Sequence, residues 1–314
     1  KWLGKASKLV KKNLSKLINC SLIGYGKWGK NILKALEKNK TINIKSICKK
    51  NIKKFTNTKY KNKILKSYLS AITDDIDAVF ISTPSETHFK IAKYALEQKK
   101  NVFVEKPICF KNKEFNILLN LAKKNKLVLH TNYIHTFNEN LNRLVKKFNK
   151  IKNLKKKNIV NIILGNDGPI RKKTSVLMDW GPHIISMINL IINNSNIKLY
   201  DYYVIQSNYK NKQNIYLNFK NKNFDIYVLF GNNFEKKTCN VEITQNGNNF
   251  TYTDKYFISQ KNNKKTKRNY QKFSPLENSI NFFIKNCNKK LFYSEKINEK
   301  ITLKLENINS ILFD

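Results

Sequence analysis

Long apolar runs are absent from this 314-residue chain. No run reaches the roughly 18 residues that a membrane-spanning helix needs, so the sequence excludes a spanning protein. Acidic residues are also few, with 21 Asp and Glu against 61 Lys and Arg, which gives a formal net charge of +40. The chain is still 41% hydrophobic. That fraction is enough to form a core, so wholesale disorder is excluded.

Arginine is nearly absent as well. Only Arg143, Arg171 and Arg268 are arginine, and all other residues in the Lys and Arg total are lysine. Arginine is the residue that usually binds phosphate with two parallel hydrogen bonds and recognises the edge of guanine bases. Its scarcity argues against nucleic acid as a partner, although clustered cations do bind phosphate. An A/T-rich genome tends to encode Lys, Asn and Ile at positions that tolerate substitution. We therefore interpret the positive charge as codon bias on a solvated surface. The alternative is a functional positive field that concentrates an anionic substrate.

The five cysteines are scattered and include no Cys-x-x-Cys pair. This pattern predicts neither a disulfide framework nor a metal site, and it favours a reducing cytoplasm. Residues 1–16 are basic but lack the continuous apolar stretch and cleavage site of a signal peptide. We expect them to form an amino-terminal extension or a first helix, of unknown role.

Apolar periodicity divides the chain into two parts, near residue 131. Short apolar strands alternate with amphipathic helices in residues 18–131, which predicts an open parallel sheet wound by helices on both faces. Residues 132–314 contain helices and many alternating strands, which predicts an α+β domain with a large, mostly antiparallel open sheet. In this second part a helix is expected to begin at Pro182, and residues 260–272 are expected to form a mobile basic loop. The fold class is thus α/β, with a Rossmann domain in residues 1–131 and a second domain in residues 132–314.

A G-x-G-x-x-G run follows the first predicted strand and opens a helix. Its residues are Gly24, Tyr25, Gly26, Lys27, Trp28 and Gly29. The first glycine permits a tight turn, the second lets the backbone approach a pyrophosphate, and the third lets helix and strand pack closely. The anion then rests on the helix amino terminus. An ordinary glycine turn between a strand and a helix is the alternative.

The second strand is not followed by the acidic residue that would hold the adenine ribose hydroxyls. It ends Ile47-Cys48-Lys49-Lys50. A cation at Lys49 would suit the 2′-phosphate of NADP, so NADP is slightly favoured over NAD. Because lysine is so common in this chain, both cofactors stay open.

Two further motifs carry candidate chemistry. Glu105-Lys106-Pro107 comes just after a predicted strand, at the edge where open α/β sheets bind ligands. Asp179 precedes His183 by four residues, so one helical turn can bring them to the same face. A carboxylate that orients an imidazole is the usual arrangement for a general base, although such a pair alone is more often structural.

The order and spacing of these motifs resemble the Gfo/Idh/MocA oxidoreductases over residues 18–312. The resemblance rests on the glycine run, on Ser82-Thr83-Pro84 with His88, on Glu105-Lys106-Pro107 and on the Asp179/His183 pair. It implies a Rossmann domain, an NAD or NADP cofactor, oxidation of a sugar-like alcohol, and a dimer or tetramer formed through the open sheet.

The resemblance also implies roles for single residues. Lys106 would hold the substrate and its reacting hydroxyl, His183 would take the hydroxyl proton, and Asp179 would orient His183. Residues 130–138 and 171–179 look like the nucleotide-sugar branch of the family, which predicts substrate contacts at Tyr133 and Arg171. The predicted cofactor contacts are Gly24, Tyr25, Gly26, Lys27, Trp28, Gly29, Lys49, Ser82, Thr83, Pro84, His88, Glu105 and Lys106.

Two other functions remain open. A catalytically silent NAD(P)-binding sensor or assembly protein could share the fold, although it need not keep the lysine, aspartate and histidine together. A nucleic-acid binder that reuses the fold would show a steep salt dependence of DNA affinity.

Overall fold

The computed structural model describes residues 17–313, except residues 56, 154–155, 169, 172, 193–195, 208–211, 263, 290–292 and 295. The expected amino-terminal extension, residues 1–16, lies outside the described residues. The chain forms two compact units and passes between them after residues 104, 117, 130, 279 and 294. Unit 1 therefore includes the described residues up to Val104, residues 118–130 and residues 280–294, and unit 2 includes the rest.

Unit 1 contains a seven-stranded sheet in the order β15-β6-β5-β4-β1-β2-β3. Its strands are β1 (Ile18–Ile23), β2 (Ile42–Cys48), β3 (Ile64–Leu65), β4 (Ala78–Ile81), β5 (Asn101–Val104), β6 (Val128–Thr131) and β15 (Tyr293–Ser294). The central strand β1 pairs in parallel with β2 on one side and with β4 on the other. All four residues of β4 are buried, as expected for a parallel strand that is covered on both faces.

Helices follow most of these strands, which confirms the Rossmann-type alternation predicted from the sequence. They are α1 (Lys27–Glu37), α2 (Tyr68–Ala71), α3 (His88–Glu97), α4 (Asn112–Lys124) and α7 (Pro275–Asn288). The second half of α7 belongs to unit 1. There the ring of Phe283 meets Phe80 of β4 and Phe103 of β5, with ring centroids 5.3 and 5.6 Å apart.

Unit 2 contains an eight-stranded sheet in the order β14-β13-β12-β11-β7-β10-β9-β8. Its strands are β7 (Asn158–Asp167), β8 (Lys198–Gln206), β9 (Gln213–Lys220), β10 (Phe224–Gly231), β11 (Asn233–Gln245), β12 (Asn248–Thr253), β13 (Phe257–Lys261) and β14 (Lys264–Arg268). Strand β7 pairs in parallel with β10, and the other pairs in this sheet are antiparallel. The prediction of a large, mostly antiparallel sheet is therefore confirmed.

One core fills unit 2 between this sheet and three helices, α5 (Glu139–Ile151), α6 (Val176–Ile192) and α8 (Lys296–Phe313). Helix α5 contributes Leu141, Leu144 and Phe148, all fully buried. They recur at helical spacing on one face, which is why this segment is a helix packed on a sheet. Burying each such side chain contributes about 1.5–3 kcal/mol.

Two predictions in the second half were wrong. Helix α6 begins at Val176 rather than at Pro182, so Pro182 lies inside it. Burial of Leu177 and Met178 stabilises the additional turn before the proline. Residues 260–272, expected to be a mobile loop, instead include the end of β13 and the whole of β14, which pair as an antiparallel hairpin. Strand β14 is an exposed edge, and edge strands commonly carry lysine because it discourages pairing with another chain.

All five cysteines are free thiols in buried positions. Within the described part of the chain, no helix combines the length and the apolar character required to cross a membrane.

Candidate functional site

The glycine turn lies in unit 1, between β1 and α1. Gly24 has φ +101°, and a Cβ added there would stand 2.7 Å from the backbone of Ser82. A Cβ on Gly29 would stand 2.2 Å from the carbonyl oxygen of Gly24. The hydroxyl of Ser82 donates to that same carbonyl at 2.8 Å. These two glycines are thus required by the fold itself, since the turn, the helix and the end of β4 pack in contact.

Gly26 differs from the other two glycines. A Cβ added to it would meet nothing within 4 Å. It is also the residue that caps α1, and neither a side-chain cap nor an acidic residue occupies the first turn of that helix. The first N–H groups of a helix attract anions when no side chain satisfies them. Lys27 and Trp28 follow in exposed positions. The open space and the uncapped helix terminus therefore fit the pyrophosphate of a dinucleotide.

Lys49 lies just beyond β2 and reaches toward this turn. Its ammonium donates to the carbonyl oxygen of Tyr25 at 3.2 Å and lies 5.5 Å from the centre of the Tyr25 ring. Tyr25 is itself buried against Phe55, with ring centroids 4.8 Å apart. The cation that the sequence favours for NADP is therefore held in a defined place beside the glycine turn.

The segment after β4 is ordered by its own side chains. Nε2 of His88 and the carbonyl oxygen of Thr83 are 2.8 Å apart. The hydroxyl of Thr87 lies 2.6 Å from the hydroxyl of Thr83 and donates to the carbonyl oxygen of Pro84 at 2.6 Å. His88 is buried, and this contact links its ring to the loop that carries Ser82, Thr83 and Pro84.

Lys106 and Asp179 form an ion pair in unit 2. The Nζ atom of Lys106 donates to Oδ1 of Asp179 at 2.8 Å and also to the main-chain carbonyl oxygen of Asp179. The two side chains are only 14% and 19% exposed. An ammonium has three hydrogens to donate. Asp179 takes two of them in the described structure, which leaves one for a ligand.

Arg171 holds the other oxygen of the same carboxylate. Its Nε donates to Oδ2 of Asp179 at 2.6 Å, and its side chain is 54% exposed. Burial opposes ionisation of Asp179, but the charges and hydrogen bonds of Lys106 and Arg171 outweigh it and lower the pKa of the carboxyl. Arg171 and Asp179 line a pocket of about 120 Å³ together with Thr174, Trp180, Gln213 and Asn232.

His183 lies on α6, one turn after Asp179, as predicted. Its Nδ1 atom is enclosed and has no hydrogen-bond partner among the described residues. Both oxygens of Asp179 are instead engaged by Lys106 and Arg171. Burial, then the charge of Lys106, then His135 lower the pKa of His183 well below its ordinary value. The imidazole is therefore neutral at neutral pH, which is the form that accepts a proton.

A second histidine, for which the sequence shows no partner, packs against His183. The rings of His135 and His183 meet edge to face, with centroids 5.1 Å apart and an angle of 84° between planes. Nδ1 of His135 lies 3.3 Å from the hydroxyl of Tyr252. Tyr252 comes from β12, far along the chain, so no spacing rule could have paired them.

Two predicted contacts are buried in this structure. Glu105 accepts a hydrogen bond from the side chain of Asn132 at 2.6 Å, and both residues are buried. Tyr133 is 1% exposed and belongs to the core of unit 2. Its ring packs among aliphatic side chains, so its surface is not available to a substrate.

The parallel sheet, its helices and the glycine turn together define a Rossmann dinucleotide-binding fold. Residues 18–133 match the model of a family described as an oxidoreductase family with an NAD-binding Rossmann fold, Gfo/Idh/MocA. Over these residues the chain is similar to that family, in agreement with the resemblance predicted from its motifs.

Curated relatives match parts of the chain. An uncharacterised oxidoreductase, YrbE of Bacillus subtilis (strain 168), is 28% identical over 135 residues, which are 42% of this chain and 40% of the relative. A UDP-N-acetylglucosamine 3-dehydrogenase of Acidithiobacillus ferrooxidans is 33% identical over 66 residues, 21% of each chain. The matches thus span less than half the length of these relatives.

Solved structures match nearly the whole chain. A dehydrogenase (MviM) from Clostridium difficile superposes with a TM-score of 0.80 at 20% identity, covering 95% of this chain and 100% of that one. KijD10, a 3-ketoreductase from Actinomadura kijaniata in complex with TDP-benzene and NADP, has a TM-score of 0.77 at 16% identity and covers 92% and 94%. At these identities the likeness establishes the fold alone.

Proposed function

We propose that this protein is an NAD(P)-dependent oxidoreductase that transfers a hydride between a hydroxyl-bearing carbon of a sugar or nucleotide sugar and nicotinamide. The observation that carries the proposal is the largely buried ammonium of Lys106, which Asp179 holds with two hydrogen bonds while one donor remains available. A nucleotide sugar is favoured because one relative is a UDP-N-acetylglucosamine 3-dehydrogenase and one structural neighbour binds TDP-benzene.

In this proposal the protein's own groups orient the alcohol and move its proton. Lys106 donates its remaining hydrogen to the hydroxyl oxygen and stabilises the negative charge that grows there. Nε2 of His183 takes the hydroxyl proton, because the imidazole is neutral at neutral pH and can accept it. Asp179 positions Lys106 rather than His183, and Arg171, at the edge of the pocket, contacts the substrate.

The dinucleotide supplies the hydride acceptor. We propose that it is held at residues 24–29 and at Ser82, Thr83 and Pro84. The pyrophosphate lies over Gly26, where no side chain interferes. We further propose that Lys49 binds the 2′-phosphate of NADP, because its ammonium is anchored beside the turn and no carboxylate follows β2. We also propose that the protein forms a homo-oligomer.

The test is turnover of a panel of nucleotide sugars, including UDP-N-acetylglucosamine, followed by the absorbance of reduced nicotinamide. Lys106→Met should lower kcat/KM about 10²- to 10³-fold because the growing charge loses its partner. His183→Gln should lower it about 10²- to 10⁴-fold. Lys113→Met changes an exposed lysine of α4 and is the matched control.

The alternative function has a distinct result in the same experiment. If the wild-type protein binds NADP but turns over no sugar, the silent NAD(P)-binding sensor replaces the enzyme. Lys106→Met with wild-type turnover would also overturn the proposal.

A further inference from the structure

The orientation of His183 has a source other than Asp179. Its Nδ1 is enclosed without a partner among the described residues. Its ring packs edge to face with the ring of His135, at 5.1 Å between centroids. In such a pair, the positive edge of one ring meets the negative face of the other, an arrangement that is favoured over face-to-face stacking. His135 is thus the ring contact that can define where His183 points.

His135 is in turn anchored by the sheet of unit 2. Its Nδ1 lies 3.3 Å from the hydroxyl of Tyr252. Tyr252 is 0% exposed and lies in β12, which is paired on both sides by β11 and β13. A phenol fixed in this way presents its hydroxyl at one place.

The charged groups around His135 come from three other segments. They are Lys106 before α4, Lys237 on β11 and Asp254 after β12, and His183 on α6 is the remaining titratable neighbour. Burial, then Lys237, then Lys106 lower the pKa of His135 to about 4, against the opposing effect of Asp254. His135 is therefore neutral at neutral pH, and it can accept a hydrogen bond at Nδ1.

We propose that His135, anchored by Tyr252, is the positioning residue for His183. The inference rests on the proposed function, in which His183 takes the substrate's proton. Tyr252 donates its hydroxyl hydrogen to Nδ1 of His135, which fixes the Nε2–H tautomer and the plane of that ring. The ring of His135 then holds the imidazole of His183. At neutral pH His135 is uncharged and does not repel the charge that His183 gains with the proton. In acid, once His135 itself takes a proton, it opposes protonation of His183.

Nuclear magnetic resonance of the imidazole nitrogens at pH 7.5 tests this arrangement without any substrate. The chain contains only four histidines, and single substitutions assign their signals. In the wild-type protein His135 should show one tautomer, with hydrogen on Nε2. Tyr252→Phe should convert it to a mixture, and His135→Gln should shift the signals of His183. Tyr227→Phe removes a partly exposed tyrosine of β10 in the same sheet and should change neither.

Kinetics provide the second readout. His135→Gln and Tyr252→Phe should each lower kcat about tenfold or more while KM stays within about twofold, because orientation rather than binding is lost. His135→Gln should also move the acidic limb of the kcat profile to higher pH, because the imidazole of His135 no longer opposes protonation of His183 in acid. A role in folding alone would not move that limb.

Each outcome is decisive. A His135 tautomer unchanged by Tyr252→Phe, or His183 signals and pH profile unchanged by His135→Gln, would overturn the inference. If no sugar is turned over by the wild-type protein, the proposed function fails, whereas the nitrogen signals still report whether the Tyr252–His135–His183 contact exists.

Discussion

Gly26→Ala separates the two proposed functions of the glycine turn, which are to fold the backbone and to bind a dinucleotide. Gly26 has φ −86°, a value that alanine adopts without strain. Its added Cβ would meet no protein atom within 4 Å. The substitution therefore fills space that only a ligand would use, which makes it a test of dinucleotide binding at this place.

The expected magnitudes follow from this geometry. Alanine caps a helix less well than glycine, but it also reduces the entropy of the unfolded chain, so the free energy of unfolding should change by less than about 1 kcal/mol. Dinucleotide binding should weaken by about 1–3 kcal/mol, the usual cost of forcing a methyl group into a filled contact. That is roughly a 5- to 150-fold increase in Kd.

Gly24→Ala is the matched comparison. It places a Cβ 2.7 Å from the backbone of Ser82 at φ +101°. The unfavourable backbone costs about 1–2 kcal/mol, and the steric overlap adds about 1–3 kcal/mol. This variant should therefore lose stability as well as binding.

Isothermal titration with NADP and NAD measures Kd, and urea denaturation measures stability. If Gly26→Ala binds both dinucleotides as tightly as the wild-type protein, the pyrophosphate does not lie over Gly26. If Gly26→Ala is destabilised as much as Gly24→Ala, the space above it is not open, and the reasoning from the added Cβ fails.

Three further predictions address charge. Lys106→Met leaves the largely buried carboxylate of Asp179 without its lysine partner, so the unfolding free energy should fall by up to about 3 kcal/mol, and the urea midpoint should fall with it. An unchanged midpoint would contradict the burial of the pair. Lys49→Glu should weaken NADP binding about 10- to 100-fold by titration calorimetry while Lys50→Glu does not, since a charge-assisted bond to the 2′-phosphate is lost; equal effects would refute the assignment. The pKa values of His135 and His183 lie below those of the same residues in the unfolded chain, so the unfolded state binds more protons in acid. The unfolding free energy should therefore be constant above about pH 7 and should fall as the pH drops below about 6.5. An unfolding free energy that rises in acid would contradict the neutrality of these two histidines.

Much of the fold could be predicted from the sequence because its signals are local. Continuous apolar runs such as Ala78–Ile81 identify buried parallel strands, and the glycine spacing identifies the turn. Two predictions failed because the structure there depends on contacts with distant parts of the chain. The basic composition of Lys264–Arg268 conceals an edge strand, since its side chains are all exposed and its partner supplies the pairing. The proline in α6 suggested a helix start, but core contacts in the preceding turn continue the helix.

The candidate site shows the same division. The chain spacing of Asp179 and His183 correctly predicts that they are one turn apart on a helix. It does not predict that Lys106 and Arg171 both bind the carboxylate, because Lys106 is 73 residues away. The contact between His135 and Tyr252 spans 117 residues. Such partners depend on which elements the fold brings together, and a single sequence carries no local signal for them.

Deuterium transfer tests the central claim most directly. A uniformly deuterated nucleotide sugar that is turned over by the protein should give reduced nicotinamide one mass unit heavier than the unlabelled sugar does, and Lys106→Met should slow this transfer about 10²- to 10³-fold. Reduced nicotinamide that carries no deuterium from the sugar, or a transfer rate unchanged by Lys106→Met, would contradict the account.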